Sequence, residues 1–166
     1  VVRDTRLAVR FQASAACAAL AIAVLASPVL GAAGNPFTSL TGTWSGSGVA
    51  KFDGGKTESL RCKGYYTNTG GPHTLGLSIR CANASAKVEL RANLVDAQGA
   101  VSGNWEERTY NQSGTVSGRA TATKMNLIIS GGIDGSMTVS IGGSKHSVDV
   151  STSGPTLKAV NISMSR

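Results

Sequence analysis

The chain predicts an all-β fold, an antiparallel meander barrel or a closely related sandwich of about eight to ten strands. Three observations lead there. Apolar side chains recur at every second position through many short segments, the mark of strands with one face buried. Glycine, 21 of 166 residues, punctuates those segments and costs about 1 kcal/mol at each helical position relative to alanine. Beyond residue 30 no stretch sustains a helical period.

The first 33 residues have a different composition. Arg3, Arg6 and Arg10, offset only by Asp4, precede an uncharged Ala- and Leu-rich run over residues 13–30. Gly31, Ala32, Ala33 and Gly34 then supply small side chains. This order reads as a secretory signal peptide, residues 1–33, cleaved after Ala33. A membrane anchor fits less well, because Ser14, Ser27 and Pro28 interrupt the run. The expected location is periplasmic or secreted, with nothing spanning the membrane once processed. Loss of the leader removes three of sixteen basic and one of nine acidic residues, so the net charge falls from +7 to +5. Two cysteines remain, Cys62 and Cys81. In an oxidising compartment they predict one disulfide, which stabilises by about 3 kcal/mol in the loop-entropy model.

The elements follow in order. Residues 34–39 read as a linker, and residues 40–166 as a single barrel domain. Leu40, Trp44, Ala50 and Phe52 share the inner face of the first strand, and Asp53-Gly54-Gly55 turns the chain. Leu60, Cys62 and Tyr66 form the next inner set, then a glycine-rich loop over 67–74. Leu75, Leu77, Ile79 and Cys81 answer them. Pairing the two strands through the disulfide sets Gly64 against Ile79 and Tyr66 against Leu77. Val88 to Leu94, Val101 to Trp105 and Val116 to Ala120 continue the alternation, as do segments around Leu127, Val139, Val148 and Ile162. The outer partners are Ser, Thr, Asn, Lys and Arg. That face lacks the apolar belt and aromatic girdles of an outer-membrane barrel.

Gly42-Thr43-Trp44 resembles the G-x-W that opens the first strand of calycin barrels: lipocalins, fatty-acid-binding proteins and avidins. The resemblance implies a barrel with a tryptophan closing one end and a ligand inside. Leu40-Thr41-Gly42-Thr43-Trp44 looks most like the avidin opening. The tryptophans that wall the avidin pocket have no counterparts, since only Trp44 and Trp105 exist. The longer pattern, G-x-W-x-G-x-G, a Cys pair, then the G-x-W-x-E of Gly103-Asn104-Trp105-Glu106-Glu107, resembles small exported alphaproteobacterial proteins of unknown function. Gly103-Asn104-Trp105 itself reads as a glycine over which an indole packs.

The catalytic inventory is nearly empty. Glu106 and Glu107 are adjacent on a strand and point to opposite faces. Glu58 and Glu107 both face inward, as the pair of a polysaccharide-cleaving envelope enzyme would. His73 and His146 have no acidic or cysteine neighbours in sequence, so no metal site is expected. No P-loop, G-x-S-x-G or C-x-x-C occurs. The expectation is a non-catalytic binding barrel without a cofactor, its ligand lined by Trp44, Phe52, Tyr66 and Trp105. Its partner would be a small apolar molecule or an envelope component. An envelope enzyme using Glu58 or Glu107 is the alternative, with an inhibitor acting through the 67–74 or 110–114 loop beside it. Arg61, Lys63 and Arg80 form an outward basic patch, read as a solvated sheet face rather than a nucleic-acid site. Tyr65 on that face is the one hint of stacking recognition.

Overall fold

The computed structural model describes residues 34–84 and 86–166. The proposed signal peptide lies outside the described residues. One helical turn, α1 (Phe37–Leu40), precedes ten strands: β1 (Gly42–Phe52), β2 (Thr57–Thr67), β3 (Thr74–Ala82), β4 (Lys87–Ala97), β5 (Ala100–Glu107), β6 (Gln112–Ala120), β7 (Lys124–Gly131), β8 (Gly135–Gly142), β9 (Lys145–Thr152) and β10 (Leu157–Ser165). Each pairs antiparallel with its sequence neighbour, and β1 pairs with β10 from Ser45↔Ser165 to Phe52↔Leu157. The barrel is therefore closed, which removes both sheet edges.

The predicted register of the second hairpin holds. Cys62 faces Cys81, Gly64 faces Ile79 and Tyr66 faces Leu77. The Cys62–Cys81 disulfide is formed and joins inner positions of β2 and β3. Burial alternates along β2 from Leu60 to Tyr66, as period two requires. The core fills from inner positions of every strand, among them Leu94, Val101, Leu127, Val139 and Ile162.

Two local features differ from the sequence reading. Phe37 to Leu40 form a helical turn where a linker and a strand start were expected. Phe37 is 0% and Leu40 2% exposed, so this turn is a plug across one barrel end. A single turn is too short to show a helical period, and burial rather than propensity holds it. The indole of Trp105 packs against Gly114 across the β5–β6 ladder, not over Gly103. A Cβ on Gly114 would lie 1.8 Å from the Ser130 carbonyl and 2.9 Å from Trp105 Nε1. Gly114 is thus where two strands approach closely and an aromatic covers the gap. Beside Gly103 lie the Asn93 carbonyl and the Leu94 side chain instead of the indole. Trp44 pairs with Gly64 in register, and the space beside Gly64 is taken by Met164 and the Tyr66 ring.

Candidate functional site

The two ends of the barrel are built differently. At the α1 end, Trp44 is 0% exposed and donates its indole N–H to the Leu40 carbonyl at 2.6 Å. Arg166 covers the ring at 4.6 Å from its centroid and donates to the Thr41 carbonyl at 2.6 Å. Beneath it, His146 meets the indole edge-on at 4.4 Å. Tyr66 Oη and His146 Nε2 lie 3.1 Å apart and share a hydrogen bond. Burial, with the Arg166 charge nearby, pushes the His146 imidazole down to about 4. Burial pushes the Tyr66 phenol up. This end is a sealed polar-aromatic cluster.

Asn35 fastens the plug. It donates to the Pro72 carbonyl and accepts the Phe37 N–H at 2.9 Å. In the same corner His73 Nδ1 lies 3.4 Å from Asp96 Oδ2, which corrects the expectation that neither histidine has an acidic neighbour. The two residues are 23 apart in the chain, and only the β3–β4 hairpin brings them together. Asp96 also accepts the Gly99 N–H at 2.9 Å, a turn-closing bond.

The opposite end has no helical plug among the described residues and is less deeply buried. Inner positions there keep part of their surface in solvent: Phe52, Ile79, Leu90, Met137, Val150 and Val160. They surround an apolar mouth. One inner layer below the rim of β5 sits Trp105, 8% exposed. Its indole N–H is buried and has no hydrogen-bond partner among the described residues. His146 Nδ1, on the sealed side of the interior, and Asn68 Oδ1 are two further buried polar atoms without a partner among the described residues. Such atoms are rare in native folds, and each calls for a water or ligand atom.

The four aromatics expected around a ligand therefore take different places. Phe52 stands at the apolar mouth and Trp105 just below it. Tyr66, 5% exposed, and Trp44 belong to the sealed end.

Glu107 and Glu58 lie at the rim of the end without the plug. Glu107 is 7% exposed and accepts three backbone N–H groups, from Glu89 at 3.1 Å, Thr109 at 2.8 Å and Tyr110 at 2.6 Å. Burial pushes its carboxyl up, but those backbone donors outweigh it and hold the group below the usual carboxylate range. A carboxylate so held is a staple for the β5–β6 turn. Glu107→Gln is expected to cost about 2 kcal/mol at neutral pH, the worth of charge-assisted bonds. Because the folded group is the stronger acid, the gap to wild type should close as pH falls through the carboxylate range. Urea unfolding at neutral and acid pH measures it, and a constant gap would contradict the role. Glu58 pairs with Lys56 at 2.6 Å and accepts from Asn83. No cluster of three or more metal-ligating side chains occurs among the described residues. No helix among them is long and apolar enough to cross a membrane.

No protein-family model and no curated protein sequence matches this chain. Several solved structures are similar to it. The crystal structure of Rv2717c from M. tuberculosis superposes with a TM-score of 0.62, at 14% identity, over 78% of this chain and 93% of that one. The S-type phycobiliprotein lyase CPES from Guillardia theta superposes with a TM-score of 0.53, at 11% identity, over 78% of this chain and 89% of that one. At such identities the likeness concerns the fold alone. What the chain shares with both is a fold, here a closed ten-stranded antiparallel barrel.

Proposed function

We propose that this protein is an exported, non-catalytic carrier that holds a small apolar molecule inside its barrel, taken up through the end without the plug. The observation that carries the reading is the unpartnered Trp105 N–H beneath a ring of half-buried aliphatic side chains. The ligand this combination fits is elongated and apolar, with one hydrogen-bond acceptor for the indole. Its body would lie against Phe52, Leu90, Met137 and Val160. Tyr66 and Trp44 would close the far end behind it. The Cys62–Cys81 disulfide supports a periplasmic or secreted location, since such bonds persist in oxidising compartments. The backbone bonds of Glu107 support a structural rather than catalytic carboxylate.

Titration of the protein with a long-chain fatty acid and with retinol, read by indole emission, tests this. A saturable change is expected with at least one of them. Trp105→Phe should abolish the emission change, and Leu90→Arg at the mouth should weaken binding about tenfold or more. No saturable response by emission or calorimetry, or undiminished binding in Leu90→Arg, would overturn the reading.

A further inference from the structure

Outside the barrel, strands β2 to β6 carry a second concavity of about 830 Å³. Cross-strand pairing builds it. One row runs Tyr65↔Ser78↔Arg91↔Glu106. The adjoining row runs Gly76↔Asn93↔Asn104↔Thr115. On β3 this face offers only Gly76 and Ser78, so β3 is the floor. Tyr65 rises on one side and Arg91 with Asn93 on the other. Five strands at about 4.8 Å spacing make the groove roughly 19 Å across the sheet, enough for a short linear ligand.

The chemistry of the groove is specific. Tyr65 is 43% exposed and presents a flat ring. Asn93 and Asn104 face each other directly across the β4–β5 ladder. Their amides, the Glu106 carboxylate and the Thr115 hydroxyl have no hydrogen-bond partner among the described residues. Planar amides and a carboxylate each offer two polar atoms side by side, which matches vicinal hydroxyls. The Arg91 guanidinium is held by Glu89 through bonds of 2.9 and 2.7 Å, a carboxylate that Arg80 and Arg108 share. Arg91 and Glu106 are the two charged side chains that line the groove, so the lining carries no excess charge although the chain as a whole is basic. A polyanion such as nucleic acid needs unanswered cations along its track. An apolar protein partner needs an apolar centre, and this groove places amides there.

We propose that the outer groove binds a neutral oligosaccharide across β2–β6, one sugar face on the Tyr65 ring and its hydroxyls on Asn93, Asn104 and Glu106. Its polar side chains stand on the outer face, and the inner-face residues Leu77, Ala92 and Trp105 border it from behind. It would bring the carrier to a glycan surface while the interior stays free for its own ligand.

Calorimetric titration of the full protein with chitohexaose, cellohexaose and heparin tests the proposal. Saturable binding of one of the two neutral oligosaccharides, and not of heparin, is expected. Tyr65→Ala and Asn104→Ala should each weaken it by about tenfold. Both side chains are exposed, so thermal unfolding should be nearly unchanged and should verify that the variants fold. Leu90→Arg, outside the groove lining, should leave sugar binding intact, which separates this site from the interior one. Absence of saturable binding to both neutral sugars, preference for heparin, or full affinity in the Tyr65→Ala, Asn104→Ala double variant would overturn the proposal.

Discussion

Replacing Trp44 with alanine is expected to cost about 4 kcal/mol, more than any other change considered for this protein. The indole is fully buried and joins three things that meet nowhere else. It donates to Leu40 and so holds the α1 plug, it carries the Arg166 guanidinium, and it packs edge-on against His146. Its removal leaves a cavity under a four-residue helix that cannot stand alone. For a domain of this size the loss corresponds to a fall in Tm on the order of 15 °C. Trp44→Phe keeps most of the ring but not the N–H, and should cost about half as much. Differential scanning calorimetry of both variants measures the pair. Equal and small effects would mean that the plug is held by something other than this side chain.

Acid is expected to remove roughly 3 kcal/mol of stability between pH 6.5 and about 4, through His146 alone. The imidazole is 4% exposed and surrounded by Trp44, Tyr66, Met164 and the Arg166 charge. The folded state therefore holds it neutral, while the unfolded chain protonates it near the ordinary value. Across that window the unfolded state binds more protons, so stability rises with pH and is lost as pH falls. Below the folded value both states are protonated and the dependence flattens. His146→Phe lacks the titrating group, so its stability should vary less with pH over this window than that of wild type. Denaturant unfolding along a pH series compares the two. Parallel curves, or an NMR titration of His146 centred above pH 6, would refute the assignment. The two predictions are coupled, because the Trp44 ring is part of what desolvates the imidazole. Trp44→Ala should move the His146 titration toward its ordinary value.

Much of the frame is legible in the sequence itself. Cys62, Gly64 and Tyr66 were paired correctly with Cys81, Ile79 and Leu77, because a one-residue slip would turn every apolar side chain of β2 outward. Glu107 was placed on the inner face by the same parity. The sites were harder to read. Tyr66 and His146 are 80 residues apart, and nothing in their flanking residues points from one to the other. The groove on β2–β6 was visible only as Tyr65, since Asn93 and Asn104 look like ordinary solvent-facing residues until the ladder sets them side by side. The separate roles of Trp44 and Trp105 were hidden by their shared G-x-W spacing.

Alternation with period two, glycine at the turns and a single cysteine pair were enough to specify an all-β meander with one pinned hairpin. These are local properties, set by which face of each strand avoids water. Tertiary structure alone decided that β1 closes on β10, that four residues after Pro36 seal one end, and that the Trp105 N–H is left unpaired beneath the other. Those outcomes depend on the stagger between neighbouring strands summed around the whole barrel, a quantity that no single segment carries.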